Sequence, residues 1–351
     1  MATCGVPTTP QVVRFTLLDG CGRPQYGPCS SFVTDSFSQV EIASEIEEGE
    51  AFSAPKANGG SCVDTKQPDR VRWDTWTLDM CMIDPELWGT INDNYRLLHD
   101  YLGGVAGWAE GYDIASSNAA AIEMWVNVAA DAVDLCDDPD AGAVDGLWFY
   151  FLAPKIGNWR RGDTLTFAGE FNPIQLTGTT ARGVRWGRGP YDVVLNGPNE
   201  PGPLLEPAQS TDRLLALVTT VPPPEPECGC LPLSNPAAPA INVVRDESDP
   251  SGRTLCVTGG ADTGDWLVDF GDGSSAQPVG PDPDSPTCNT YTTDGDYFIG
   301  VWNADNPNLY RAMRVSVPMT MTLTATPSEG LAPLEVTATV DGETGPVTID
   351  W

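Results

Sequence analysis

The residues that could carry catalysis or bind a metal are few and poorly placed for either task. A Ser or Cys nucleophile normally needs a histidine beside it, and His99 is the only histidine among 351 residues. The ten cysteines include no Cys-x-x-Cys pair, and one histidine cannot complete the usual Cys/His zinc sites. No nucleophile-elbow, phosphate-binding or dinucleotide-binding motif is present. The sequence therefore predicts no catalytic residue, no cofactor and no metal site, and a protein that is not an enzyme.

The ten cysteines leave two interpretations open. The N-terminal residues show no secretory signal, so synthesis in a reducing cytosol is expected, and buried thiols or late-forming disulfides are favoured. Cys256 and Cys288 fall on two predicted strands and could pair under oxidising conditions. The alternative is a metal cluster near four cysteines of the N-terminal part, namely Cys4, Cys21, Cys29 and Cys62.

Acidic motifs in the chain are better explained as turns than as sites. Residues 269–273 read Asp-Phe-Gly-Asp-Gly, but the glycine-rich loop and paired lysine of a protein kinase are missing. We predict a hairpin that turns at Asp272 and Gly273, with Trp266 and Phe270 facing a core. None of the other acidic stretches matches a calcium-binding loop, and solvated turns are predicted at 137–146, 246–252 and 280–286.

Composition and charge favour a β-rich protein that does not grip nucleic acid. The 36 glycines and 32 prolines imply many turns and few long helices, while 41% hydrophobic residues are enough to form cores. A formal net charge of −31 repels DNA phosphates and anionic membranes. No run of about 18 apolar residues occurs, so no membrane span is predicted.

Prolines and turn spacing divide the chain into predicted domains. The proline-rich segment 222–238 predicts a semi-rigid linker, and the Cys-Gly-Cys within it could anchor it. After it, short strands with turns every 8–12 residues predict an Ig-like β-sandwich. The last segment opens a second such module that is incomplete, so we expect the natural chain to continue past Trp351. The predicted regions are 1–221, the linker 222–238, then 239–318 and 319–351.

The first domain is predicted to be all-β, a barrel or sandwich with one packed helix. The helix is expected over 84–104, with Asp84 as its cap, Pro85 in its first turn and Gly103 at its exit. His99 is expected beside the apolar stripe of that helix, as a partly buried structural residue. Alternating or continuous apolar residues predict strands, among them 121–131, 146–157 and 163–183.

Three segments of the first domain follow one another as TDSFSQVEIASEIEEGEAFSAPKANGGSC, LDMCMIDPELW and TLTFAGEFNPIQLTGTTARG. In this order they resemble the major tail tube protein of long-tailed bacteriophages, especially phages of actinobacteria. The resemblance implies hexameric rings stacked into a tube, with an inner β-barrel shared among subunits and a long loop that reaches the next ring. It also implies assembly in the host cytoplasm, a place in the virion tail, and contacts with the tape measure, tail terminator and distal tail proteins. DNA would pass through an acidic lumen without specific binding.

The end of the sequence, TPSEGLAPLEVTATVDGETGPVTIDW, resembles the opening of a polycystic-kidney-disease (PKD) type Ig-like domain. VDFGDG together with DGDYFIGVWN is similar to the later half of the same domain type. Tail tube subunits of such phages often carry Ig-like domains at the C-terminus. The resemblance therefore implies outward decoration domains, which could contact host-surface glycans weakly.

Two groups of residues are candidates for contacts between subunits. The loop 44–62 is long, glycine-punctuated and amphipathic, and we expect it to contact the next ring. Arginines concentrate at a predicted hairpin tip, 158–163, and a predicted loop, 181–190, where they could face a neighbour's carboxylates or lie as solvated charges. The candidates are Glu45, Glu47, Glu48, Glu50, Phe52, Lys56, Arg160, Arg161, Arg182, Arg185 and Arg188.

Two alternative functions stay open at this stage. A cell-surface adhesion or carbohydrate-binding protein would use the Ig-like modules as its working parts, although the missing secretory signal counts against it. A polysaccharide-degrading enzyme is less favoured, and it is retained because paired carboxylates are abundant in this chain.

Overall fold

The computed structural model divides the chain into two units, Met1–Leu233 and Ser234–Trp351. It describes residues 6–92, 95–101, 104–112, 118–129, 146–162, 164–166, 172–261, 264–317, 322–326 and 337–341. The boundary between the units falls inside the segment predicted as a linker.

The described part of the first unit consists of strands and one short helix. In chain order they are β1 (Val6–Leu18), β2 (Gly27–Thr34), β3 (Phe37–Glu47), β4 (Ala51–Pro55), β5 (Ser61–Lys66), β6 (Arg70–Met80), α1 (Pro85–Ile91), β7 (Tyr95–His99), β8 (Val105–Glu110), β9 (Ala119–Ala129), β10 (Trp148–Arg161), β11 (Ile174–Thr180), β12 (Val194–Gly197), β13 (Glu200–Gly202), β14 (Leu215–Thr219) and β15 (Glu227–Leu233). The all-β class predicted from the sequence is confirmed.

Nine of these strands form one antiparallel sheet in the order β15-β2-β1-β9-β10-β11-β6-β3, with β14 also paired to β10. β14 pairs with residues 148–152 of β10, and β11 pairs with residues 156–161, both on the side opposite β9. The register shifts between Ala153 and Ile156, where Pro154 has no N–H to donate, so the sheet branches there. Within one chain the described sheet is open, with β15 and β3 at its edges.

Both faces of this sheet are covered around its centre. One core lies under α1 and the β7–β8 hairpin, where Trp88 stacks on Trp108 with ring centroids 5.7 Å apart. The other core lies under the segment 181–213, which inserts Val184, Trp186, Val193 and Leu204. The strand predicted at 121–131 is confirmed as β9. Its apolar face is buried, and so is its other face, which carries Glu123 and Trp125.

The predicted helix is much shorter than expected. Asp84 caps it as predicted, and its Oδ1 accepts from the Glu86 N–H at 2.9 Å, but the helix ends at Ile91. The Asn92 side chain donates to the Trp88 carbonyl at 2.8 Å and replaces the backbone bond that would continue the helix. The following residues form the β7–β8 hairpin, so His99 is an exposed strand residue, and its expected place on a helix is wrong.

The segment predicted as a linker contributes a strand to the sheet. β15 pairs with β2, and Cys230 forms a disulfide with Cys29 across this pair. The Cys-Gly-Cys therefore does anchor the segment, and its anchor is β2. Prolines 222–224 lie before the strand, where no ladder donor is needed.

The second unit contains β16 (Ile241–Arg245), β17 (Thr254–Gly259), β18 (Trp266–Asp269), β19 (Gln277–Val279), β20 (Thr287–Thr290), β21 (Gly295–Asn303), β22 (Tyr310–Val317), β23 (Thr322–Thr326) and β24 (Thr337–Asp341). Sheets β16-β17-β20 and β19-β18-β21-β22 share one core and form the predicted sandwich. Cys256 and Cys288 form a disulfide between the paired strands β17 and β20.

The Asp-Phe-Gly-Asp-Gly motif is the predicted hairpin. It connects the antiparallel strands β18 and β19, with Gly271 and Gly273 at positive φ and with Trp266 and Phe270 buried. β23 and β24 form a hairpin where a second module is predicted. Most of that module, together with Cys4, Cys136 and the acidic stretch 137–145, lies outside the described residues.

Candidate assembly surface

Residues 44–73 form a two-stranded extension of the sheet, which we name the arm. The outer end of β3 pairs with the start of β6, and the ribbon continues as the β4–β5 hairpin. The Gln67 N–H donates to the Glu50 carbonyl at 2.9 Å, and Gly59 closes the tip with φ of +86°. The predicted loop at 44–62 is therefore mostly strand. Because both faces of the ribbon are exposed, its sequence lacks the alternation that marks a half-buried strand.

The arm presents apolar side chains and free strand edges. Ile46, Phe52 and Val63 expose 59%, 49% and 47% of their surface. Among the described residues, β4 and β5 pair only with each other, so each keeps an unpaired edge. An isolated two-stranded ribbon is marginally stable in water, and apolar groups beside free edges are typical of interaction surfaces. These features make the arm the leading candidate for contact with another copy.

Charges on the arm are mixed, with six acidic and four basic residues. Arg70 donates to Glu47 at 2.8 Å, and this hydrogen bond lowers the pKa of the Glu47 carboxyl. The six predicted contact residues of this region are all exposed: Glu45, Glu47, Glu48, Glu50, Phe52 and Lys56. Apart from Glu47, their charged groups form no ion pair within the described part of the chain.

Asp74 fixes the base of the arm to the rest of the sheet. Its buried carboxylate forms an ion pair with Arg213 and accepts a hydrogen bond of 2.6 Å from the Ser44 hydroxyl. Its backbone N–H donates to the Thr180 hydroxyl at 2.8 Å. These contacts join β3, β6, β11 and the segment before β14, so the arm starts from a rigid point.

The predicted arginines do not form one cluster. Arg161 hydrogen-bonds to Glu110 at 3.0 Å, which lowers the pKa of Glu110, and Arg188 donates to the Leu204 carbonyl. Residues 158–161 belong to β10, so the hairpin tip predicted there is wrong. The other three predicted arginines are exposed and form no ion pair with any described residue, namely Arg160, Arg182 and Arg185.

Arg182 lines a pocket with two arginines that the sequence patterns did not single out, Arg72 and Arg213. The cavity has a volume of about 230 Å³ and lies at the base of the arm. Asp74 neutralises Arg213, and Asp212 also lines the pocket. The remaining positive charge suits a carboxylate, and a chain with a net charge of −31 carries many of them.

The edge of β14 is a second unpartnered feature. β14 pairs with β10 on one side, and no other described strand pairs with it. The groove beside it is lined by leucines, of which Leu195 and Leu205 are 40% and 64% exposed. An edge strand next to apolar side chains can accept a further strand by backbone hydrogen bonding.

A buried polar cluster lies in the core of the first unit that the segment 181–213 covers. Glu123 accepts bonds of 2.6 and 2.8 Å from Arg14 and one of 2.6 Å from the Tyr150 hydroxyl. Burial, and then the charge of Glu123, raises the pKa of Tyr150 well above its ordinary value, so it remains a proton donor. Sequence patterns place Glu123 on a polar face, although Trp125 two residues later was a signal that this face is covered. The guanidinium of Arg14, the carboxylate of Glu123 and the hydroxyl of Tyr150 are hydrogen-bonded to one another, and they join β1, β9 and β10.

Comparison with models of known protein families, and separately with curated proteins, finds no match for this chain. Within the described residues, no helix is long and apolar enough to cross a membrane. The arm, the arginine pocket and the free strand edges are the features of the described chain that bear on its function.

Proposed function

We propose that this chain is a structural protein that polymerises with its own copies into the tail tube of a long-tailed bacteriophage. Hexameric rings stack into the tube, and the second unit decorates its outside, where it can contact host-surface glycans. The tape measure protein occupies the lumen before DNA passes through it, and terminator and distal tail proteins close the ends.

The observation that carries this proposal is the arm. At its base Asp74 accepts a hydrogen bond from the Ser44 hydroxyl and donates one to the Thr180 hydroxyl. Along its length Ile46, Phe52 and Val63 are exposed. A ribbon with a fixed base and exposed apolar side chains gains stability when a second surface covers it. A copy in the next ring is the occupant that this proposal assigns to it.

The open edges of the sheet independently support the proposal that copies of this chain assemble. β3, β15 and β14 each leave an edge unpaired within the described part of one chain. Exposed edges invite uncontrolled pairing unless they are covered, and a barrel shared around a ring removes them. The leucines beside β14 would then be buried at the contact between neighbouring subunits.

Charge supports the conduit role. A formal charge of −31 per chain repels a polyanion, so a lumen built from such subunits would not retain DNA. The arginine pocket at the base of the arm would be occupied by carboxylates between subunits, which removes it from the path of DNA.

The experiment that tests this function removes the outer arm. Replacing residues 51–66 by Asn-Gly is geometrically feasible, because the flanking Glu50 carbonyl and Gln67 N–H are already hydrogen-bonded at 2.9 Å. We expect the variant to unfold at the temperature of the unmodified protein and to form no tubes in negative-stain electron microscopy. Tubes of normal length from this variant would contradict the proposal.

A further inference from the structure

The Cys29–Cys230 disulfide lies beside a carboxylate. Cys29 is on β2, Cys230 is on β15, and Glu86 is in the first turn of α1. The two sulfur atoms and one Glu86 oxygen all lie within 4.8 Å of one another, and the three residues are half-buried. Two sulfurs and a carboxylate oxygen at this spacing are a ligand set for a thiophilic divalent cation.

Backbone hydrogen bonds hold the carboxylate in place. The Cys230 N–H donates to Glu86 Oε2 at 2.8 Å, and the Gly229 N–H donates to Asp84 Oδ2 at 2.8 Å. Asp84 also caps α1 through its other oxygen. None of these bonds involves a sulfur atom, so they do not depend on the disulfide and can persist after its reduction.

We propose that reduction of this disulfide creates a binding site for one divalent cation such as Zn²⁺, with Cys29, Cys230 and Glu86 as ligands. A dithiol reductant supplies two electrons, the S–S bond breaks, two protons are taken up, and the reductant becomes a cyclic disulfide. The cation then displaces both thiol protons and is held by two thiolates and one carboxylate. Solvent fills the fourth position of a tetrahedral site.

The sequence predicts no metal site because the two sulfur ligands are separated by 201 residues. The sequence groups Cys29 with Cys4, Cys21 and Cys62, whereas the structure bonds it to Cys230. Cys21 and Cys62 are exposed and free, and Cys4 lies outside the described residues.

The second disulfide provides a natural control. Cys256 and Cys288 are directly opposite each other on paired strands, and like Cys29 and Cys230 they form a disulfide between two paired strands. In the described part of the chain, the Cys29 group is the one set of three close Cys, His or carboxylate ligands. Reduction of Cys256–Cys288 should therefore give two thiols without a third ligand and no comparable affinity.

The test is a Co²⁺ titration of the full-length protein, reduced and then freed of reductant without oxygen. We expect one Co²⁺ per chain with a thiolate-to-metal charge-transfer band, displacement by Zn²⁺, and no such band in the oxidised protein. A reduced protein without this band, or an oxidised protein with the same band, would overturn the proposal.

Variants separate this site from the other cysteines. Cys230→Ser should abolish the band, and Glu86→Gln should keep it while weakening affinity by about tenfold or more. Cys228→Ser and Cys288→Ser should match the reduced unmodified protein. Circular dichroism of each reduced variant verifies its folding. Co²⁺ binding is compared among proteins that are all reduced, so none of them contains the Cys29–Cys230 disulfide. Unchanged affinity in Cys230→Ser or Glu86→Gln, or loss of the band in either control, would contradict the assigned ligands.

Discussion

The centre of the nine-stranded sheet buries its charged and apolar side chains, whereas the arm exposes both kinds. At the centre, Arg14 and Glu123 are paired at 2.6 Å with side-chain exposures of 8% and 1%. In the arm, Arg70 and Glu47 form the same kind of cross-strand pair at 2.8 Å, with exposures of 69% and 44%. The arm also exposes apolar side chains that the centre would bury. The centre is therefore stabilised within one chain, whereas the arm leaves apolar surface exposed, and under the proposed function a second copy would cover it.

The largest expected effect follows from breaking the buried pair of Arg14 and Glu123. Glu123→Ala leaves the Arg14 charge buried without its partner and the Tyr150 hydroxyl without its acceptor. We expect a loss of about 3–5 kcal/mol in the free energy of unfolding, measured by denaturant titration. Glu47→Ala, which breaks the exposed pair, should cost less than about 1 kcal/mol. Equal losses in the two variants would remove the distinction between centre and arm.

An intermediate effect is expected where the two regions meet. Asp74→Ala removes the acceptor of the Ser44 hydroxyl and the partner of Arg213. The expected loss is about 1.5–3 kcal/mol, because the carboxylate is buried while Arg213 is half-exposed. Hydrogen exchange should also accelerate in β3 and the start of β6. Exchange unchanged there would show that Asp74 does not anchor the arm.

A smaller effect should depend on pH. The hydrogen bond from Arg161 lowers the pKa of Glu110 below its ordinary value of 4.5, so this carboxylate stabilises the fold above that pH. The contribution is lost as pH falls through the lower, folded-state pKa. Glu110→Gln should cost less than about 1 kcal/mol at neutral pH, and its stability should converge with that of the unmodified protein in acid. A difference that persists or grows in acid would contradict this assignment.

Local pattern was enough to predict much of the fold. Alternating residues located β9, a continuous apolar run located β10, and turn spacing indicated the sandwich of the second unit. The predicted helix is too long because the apolar spacing continues past Asn92. In the structure the hydrogen bond from the Asn92 side chain to the Trp88 carbonyl ends the helix. The linker prediction missed β15, because prolines dominate the composition of 222–238, whereas pairing with β2 makes Glu227–Leu233 a strand.

The candidate surfaces were only partly predictable. The acidic candidates of the arm lie within six consecutive positions, 45–50, so composition is enough to select them. The arginine pocket joins Arg72, Arg182 and Arg213 from distant parts of the chain, and no local pattern links them. Glu86 and Cys230 are likewise 144 positions apart, and their meeting depends on the pairing of β15 with β2.

The most direct test of the account compares two valines with almost the same exposure. Val63 on β5 of the arm is 47% exposed, and Val244 on β16 of the second unit is 48% exposed. Val63→Ser and Val244→Ser should both leave the free energy of unfolding nearly unchanged. By electron microscopy, we expect the unmodified protein and Val244→Ser to form tubes of stacked rings, and Val63→Ser to form few or none. Monomers from the unmodified protein under all conditions, or equal assembly of the two variants, would contradict the account.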